Sequence, residues 1–317
     1  MSVQAVVFEF VLVTLLPIYL VTGLGYALRV GGVLSTDFLR DSARLVFNFA
    51  APATLFFALA SSAKTTVIAP KFLLICMSLL IGLTLLCWLV APLVVKNRAL
   101  RGVFVQGASR GNLLVSGLAF THGVYGMEGI ALASLPLGMY IIFNNIYSVA
   151  ILKHYAKDQG GSVGKYWADV FKNPVIVAVL AGALCGWLQF EIPETIKNTG
   201  TLLGQLTVPL LLFNVGASFD FKLLRSPNVV GWAATVYKCI VMPVLGVSIA
   251  WALGVHGMEL GIIFLLLSSP TSAISVVFAQ MFGGHQGQAA NMVLTSSLLS
   301  IVTVVIGLAY LQIAGMI

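Results

Sequence analysis

Ten stretches of about twenty apolar residues, each long enough to cross the hydrocarbon core of a bilayer as a helix, run through this chain of 317 residues. They cover residues 6–28, 38–61, 70–94, 102–122, 129–152, 172–190, 195–218, 228–254, 258–282 and 288–314. A chain built this way has too little ionised surface to face water. Only 9% of its residues are charged and its mean hydropathy is +1.02, against roughly 25% charge in a soluble domain. Cytosolic enzymes, secreted disulfide scaffolds and nucleic-acid modules are excluded on that ground. The expected fold class is an all-α polytopic membrane protein. No basic residue precedes Arg29, so no secretory signal is expected. Cys76, Cys87, Cys185 and Cys239 each lie in an apolar run without CxxC spacing, and read as buried apolar side chains.

Charge orients the spans. With the first loop cytoplasmic, alternation places Arg29, Arg40, Arg44, Lys96, Arg98, Arg101, Lys153, Lys157, Lys165, Lys172, Lys222 and Arg225 inside. Only Lys64, Lys71 and Lys197 fall outside, while Arg110 and Lys238 lie within spans. That asymmetry is the positive-inside bias. It puts both termini on the outer side, which in a bacterium is the periplasmic side of the inner membrane. Ser35-Thr36-Asp37 reads as a helix N-cap followed by an acid in the first turn. Asp37–Arg40 and Asp41–Arg44 are spaced as i,i+3 ion pairs on a solvated helix end.

A shift of 157 residues carries Pro17 onto Pro174, Pro52 onto Pro209 and Pro70 onto Pro227. Gly25 lands on Gly182 and Gly126 on Gly283, and Leu55, Phe56, Ala60 and Ser61 land on Leu212, Phe213, Ala217 and Ser218. The shift spans five helices, an odd number, so the second copy runs through the membrane in the opposite sense. The expected organisation is therefore two inverted five-helix repeats, residues 1–157 and 158–317. Many secondary transporters are built this way, with the substrate near the midplane where discontinuous helices of the two repeats meet.

The fourth and ninth spans are the interrupted ones. The fourth reads GASRGNLLVSGLAF, with Gly107, Gly111 and Gly117 around Arg110 and Asn112, and the ninth reads LLLSSPTSAISVVF, with Pro270 among Ser268, Ser269, Thr271 and Ser272. Glycine and proline weaken a helix interior, and opened backbone is tolerated at membrane depth only where it lines a protein cavity. Their occurrence in corresponding spans of the two repeats makes them the expected binding site.

The segments RLVFNFAAPATLFFALA, FKNPVIVAVLAGALCG, LGQLTVPLLLFNVGAS and SSPTSAISVVFAQMFGG resemble the auxin efflux carrier family, over essentially the whole chain. The resemblance implies a ten-helix, two-repeat fold like that of bile acid transporters, with helices 4 and 9 broken and crossing. It also implies a homodimer and elevator-type alternating access for organic anions. By the same resemblance, spans one, two, six and seven form the scaffold. Asn112 matches the crossing-helix asparagine that meets the substrate carboxylate in the plant carriers. The family's crossing prolines are replaced here by Ala119 and Ser275, with Pro270 earlier in its span, and the long hydrophilic loop of the plant exporters is replaced by a short basic connector at 153–171. A small metabolic carboxylate is thus expected rather than auxin.

The expected function is a secondary active transporter or facilitator of small organic anions, mono- or dicarboxylates such as malonate or malate. A sodium-coupled symporter of a bulky amphipathic anion and a non-transporting sensor on the same fold are the alternatives. The expected substrate-binding residues are Asn112, Arg110, Gly111, Ser269, Pro270, Thr271, Ser272, Asn144 and Thr54, and Lys238 is the coupling candidate. Ser269 and Thr271 are expected to donate hydrogen bonds, and Arg110 to supply charge. No enzyme motif, cofactor or metal site is read from the sequence: a Walker lysine motif and HExxH are both missing from it.

Overall fold

The computed structural model describes residues 16–62, 70–156, 174–217 and 229–317. Glu9, Lys64, Lys157, Lys165, Lys172, Lys222, Arg225 and Pro227 lie outside them. The described residues form helices joined by turns and short extended segments, with one isolated β-bridge. Five helical stretches are long and apolar enough to cross a membrane, and three shorter apolar helices accompany them. The chain is an integral membrane protein.

In chain order the helices are α1 (Leu16–Val30), α2 (Thr36–Leu45), α3 (Ala51–Ser62), α4 (Pro70–Val94), α5 (Arg98–Ser109), α6 (Leu118–Tyr155) and α7 (Pro174–Trp187). They continue as α8 (Glu194–Gln205), α9 (Thr207–Ala217), α10 (Val229–Val236), α11 (Met242–Ala252), α12 (Gly257–Ser268), α13 (Ile274–Met281) and α14 (Gln286–Ile313). Helix α6 is two helices meeting at Gly126, whose φ of 58° and ψ of −149° suit glycine alone. Gly283, which the 157-residue shift places on Gly126, also has positive φ, 82°.

Proline writes two further irregularities. Pro52 has no N–H for the carbonyl of Asn48, and the preceding turn, Val46–Ala50, widens to a π-helix in which Ala51 N–H reaches Val46 O. Pro243 repeats the device: the turn Tyr237–Val241 is π-helical and Met242 N–H reaches Tyr237 O. Two helical segments thus join through each π turn into one stretch, Thr36–Ala60 and Val229–Ala252 respectively.

The chain divides into two compact units. The first comprises Met1–Leu73, Leu114–Met139 and Asp169–Phe219. Here α3 packs on α7 and α9 on α1, and two glycines make the approach possible. A Cβ added to Gly25 would fall 2.7 Å from Phe213 O, and one added to Gly182 would fall 2.7 Å from Phe56 O. The 157-residue shift carries the first pair onto the second. The two helix pairs therefore use the same contact with exchanged partners. Helix α8 lies against α3, where the Thr54 hydroxyl sits 3.0 Å from Ala50 O, 3.1 Å from Gly204 O and 2.9 Å from Thr207 Oγ1. Asn214 on α9 donates to Ser42 Oγ on α2 at 3.0 Å. The Ser35 cap on Phe38 N–H and the exposed pairs Asp37–Arg40 and Asp41–Arg44 form as their spacing implies.

The second unit comprises Leu74–Leu113, Tyr140–Ala168 and Asp220–Ile317. Its α10 packs on α14 and α5, α11 on α12, and α13 on α14. Helix α4 shows how such a helix divides its surface. Cys76, Leu80, Leu83, Cys87 and Ala91, at spacings of three and four, are buried, while Leu74, Leu85, Leu89 and Leu93 are exposed. Exposed leucine alternates with a buried interior rich in Ser and Thr (Ser109, Ser148, Thr235, Ser268, Thr295, Ser296 and Ser300 are all buried). Small hydroxyl residues inside and large apolar ones outside suit a lipid surround.

Candidate functional site

Both interrupted spans are broken. Helix α5 ends at Ser109, Arg110 is extended with φ −79° and ψ 98°, and a π turn, Leu113–Gly117, follows Asn112. Helix α12 ends at Ser268, Ser269 is extended with φ −58° and ψ 132°, and α13 starts at Ile274 without a side-chain cap. Ala119 and Ser275, at the positions of the family's prolines, are both helical. The breaks fall earlier in each span. In the fourth span it rests on the residues around Gly111 with no proline; in the ninth it coincides with Pro270.

The extended segments pair antiparallel at Gly111 and Thr271. Asn112 N–H donates to Pro270 O at 2.6 Å, and Ser272 N–H donates to Arg110 O at 3.0 Å. Helix ends leave carbonyls and N–H groups unmet, and the carbonyl end at each break is met from elsewhere in the unit. The Thr271 hydroxyl donates to Gly107 O at 2.7 Å, one turn from the end of α5. Thr271 N–H in turn donates to Ser296 Oγ on α14 at 2.9 Å. The Lys238 ammonium donates to Leu267 O at the end of α12, at 2.9 Å. Ser269 Oγ turns back to Leu265 O on its own helix. The hydroxyl protons of Ser269 and Thr271, expected from the sequence to serve a ligand, are thus engaged within the fold.

Arg110 is 5% exposed, and its guanidinium enters the second half of α6. It donates to Asn144 O at 3.1 Å, Ser148 Oγ at 2.9 Å and Asn145 Oδ1 at 2.7 Å, and lies 4.2 Å from the Phe278 ring centroid. Arginine's planar fork suits several acceptors at once and stacks on an aromatic face. Asn112 contrasts with it. It is half-buried, and its carboxamide has no hydrogen-bond partner among the described residues.

Among the described residues, five of the buried polar atoms without a partner lie near the breaks. They are both ends of the Gln106 carboxamide in the last turn of α5, Asn144 Oδ1, Ser268 Oγ and Ser275 Oγ. Each unmet group costs about 1–3 kcal/mol. Thr54, the remaining expected site residue, belongs to the first unit, where its hydroxyl ties α3 to α8 and Thr207 as described above.

Sequence reading missed Ser148, Ser296, Gln106 and Phe278. Ser148 had a signal: it lies four residues from Asn144, on the same helix face. Ser296 sits in a run of three hydroxyl residues, and nothing local sets it apart.

Replacing Thr271 with valine is expected to leave Gly107 O unmet and lower stability by about 1–2 kcal/mol, while Thr271→Ser stays close to the native protein. Thermal melts of the three purified proteins in one detergent measure the difference.

A family model described as membrane transport protein matches residues 10–160 and again residues 161–307. The chain belongs to this family, the auxin efflux carriers. It is a membrane transport protein and not an enzyme. An uncharacterized transporter of Methanothermobacter thermautotrophicus is 24% identical over 92% of this chain and 95% of its own. An uncharacterized transporter of Methanocaldococcus jannaschii is 22% identical over 81% of this chain and 85% of its own. A Rhizobium meliloti protein bearing the name "Putative malonate transporter" is 27% identical over 68% of this chain and 72% of its own.

Proposed function

We propose that this family member is a secondary carrier of small organic anions, mono- or dicarboxylates of the size of malonate or malate, working by elevator-type alternating access. The observation that carries the reading is the Asn112 carboxamide, a neutral donor and acceptor without a partner among the described residues, beside the Gly111–Thr271 crossing. A carboxylate accepting from Asn112 Nδ2 would sit near the start of α13, whose uncapped first turn favours negative charge. Arg110 and Lys238 supply positive potential close to the two breaks. Gly111, Pro270 and Ser272 shape the site through their backbone, and the Rhizobium relative's name is consistent with a short dicarboxylate.

The proposed frame is ten membrane crossings in two inverted repeats, 1–157 and 158–317, with both termini on the outer side of an inner membrane and two copies forming a dimer. The glycine pairs Gly25–Phe213 and Gly182–Phe56, the positive φ at Gly126 and Gly283, and the two-part family match support the repeat. Counterflow in proteoliposomes with labelled malonate, malate, succinate, lactate and indole-acetate tests the function. Saturable exchange of a short carboxylate is expected. Asn112→Ala should raise its KM roughly tenfold or more while leaving the melting temperature within a degree or two. Unchanged transport by Asn112→Ala would remove that residue from the site. Binding without counterflow would replace the carrier with a sensor.

A further inference from the structure

Lys238 is 1% exposed and lies in the π turn Tyr237–Val241. Pro243 causes that turn by withholding an N–H from Cys239 O, and so helps to set where Lys238 points. Its Nζ donates to Leu267 O at 2.9 Å and lies 3.6 Å from Met242 Sδ. It also reaches the broken segment after α5, since a Cβ built on Gly111 would stand 3.3 Å from Nζ. Among the described residues, no carboxylate lies within ion-pair distance of it. The groups found beside Nζ include a carbonyl oxygen, a thioether and a glycine. What balances its charge is the end of α12: the last carbonyls of a helix lack partners and carry about half a negative elementary charge. Leu267 O belongs to that end. A carbonyl-lined negative end at a break in a membrane protein is where an inorganic cation is commonly held.

We propose that the Lys238 ammonium is a resident cation, occupying at the end of α12 the place an exchangeable inorganic cation would take, so that this protein works without sodium. The side chain neutralises the helix end in every state of the cycle and leaves a net positive charge beside Gly111, which favours an anion there. The glycine at 111 gives the ammonium room.

The inference rests on the carrier reading for its uptake arm alone, and a melting arm tests it without any substrate. Purified Lys238→Ala is compared with wild type in sodium chloride, ethylammonium chloride and choline chloride at equal ionic strength. In choline the variant is expected to melt roughly 5 °C lower. Ethylammonium, which can refill the space left by the lysine head, should restore most of that loss saturably. Lys238→Met, which fills the space without charge, should not respond. In vesicles, wild-type counterflow should be equal in sodium and choline, while Lys238→Ala is at least tenfold slower in choline and partly recovered by ethylammonium. A Lys238→Ala protein insensitive to every cation, or one as stable and active as wild type in choline, would overturn the proposal. So would sodium-dependent melting or uptake of the wild type, which needs no variant to fold. If no carboxylate is transported, the melting arm still decides the role of Lys238.

Discussion

Leucine at position 182 is expected to abolish accumulation of folded protein. Gly182 is buried where α7 meets α3, and a Cβ there would stand 2.7 Å from Phe56 O and 2.9 Å from Phe56 Cα. Backbone atoms cannot swing aside as a side chain can. The helices must separate, which takes apart the packing along their whole contact and costs about 4 kcal/mol or more. Gly25→Leu should fail in the same way, against Phe213 O at 2.7 Å. Gly23, two residues away on the same helix, is exposed with nothing within 4 Å of its would-be Cβ. Gly23→Leu should therefore behave like wild type, or gain slightly from better helix propensity. Fluorescence-detected size-exclusion of the three variants separates the cases. A monodisperse Gly182→Leu protein would show that the α3–α7 contact is not as close as described.

The second large effect is expected at Arg110. Exchange for methionine keeps most of the apolar stem but removes three donated hydrogen bonds, leaving Asn144 O, Ser148 Oγ and Asn145 Oδ1 without that donor. The guanidinium fastens the break after α5 to the second half of α6, and its loss should cost about 3 kcal/mol. Arg110→Lys keeps the charge but has no planar fork, so it should recover only part of that stability. The expected signature is a large fall in melting temperature together with a fall in transport rate. A rise in KM at unchanged stability would instead make Arg110 a simple substrate anchor. Thermal melts and concentration-dependent counterflow on the same preparations distinguish these results.

The sequence discloses different parts of this molecule to different degrees. The third span, read as 70–94 from its apolar length, coincides with α4, Pro70–Val94, because length and hydropathy are local properties. The Ser35 cap and the two Asp–Arg pairs are legible for the same reason. The spans with Gly and Ser interruptions are found as interrupted, but the point of interruption is not. Glycines at 107, 111 and 117 allow a break at several places, and pairing with Thr271, a partner 160 residues away, selects Arg110–Asn112. Ser269 and Thr271 look from the sequence like free donors. Their protons are taken by Leu265 O and Gly107 O, and no periodicity reports that. The partners of Arg110 are equally hidden. The chain must first turn at Gly126 before α6 can bring Asn144, Asn145 and Ser148 to the guanidinium. Lys238 stands out as a cation in an apolar run, yet its direction depends on a π turn that Pro243 imposes five residues further on.

The two broken segments are tied by main-chain atoms: Asn112 N–H to Pro270 O, Ser272 N–H to Arg110 O, and the bridge between Gly111 and Thr271. A junction of that kind is indifferent to most of the side chains that decorate it. The carboxamide at position 112 can be exchanged for another small polar group without untying the two broken helices, because the 112 backbone makes the same bond whatever it carries. If the ligand meets Asn112 as proposed, selection acts on ligand choice and on architectural integrity separately. On the proposed placing of the ligand at Asn112, single substitutions at this spot would change which anion is accepted while each descendant inherits an intact frame.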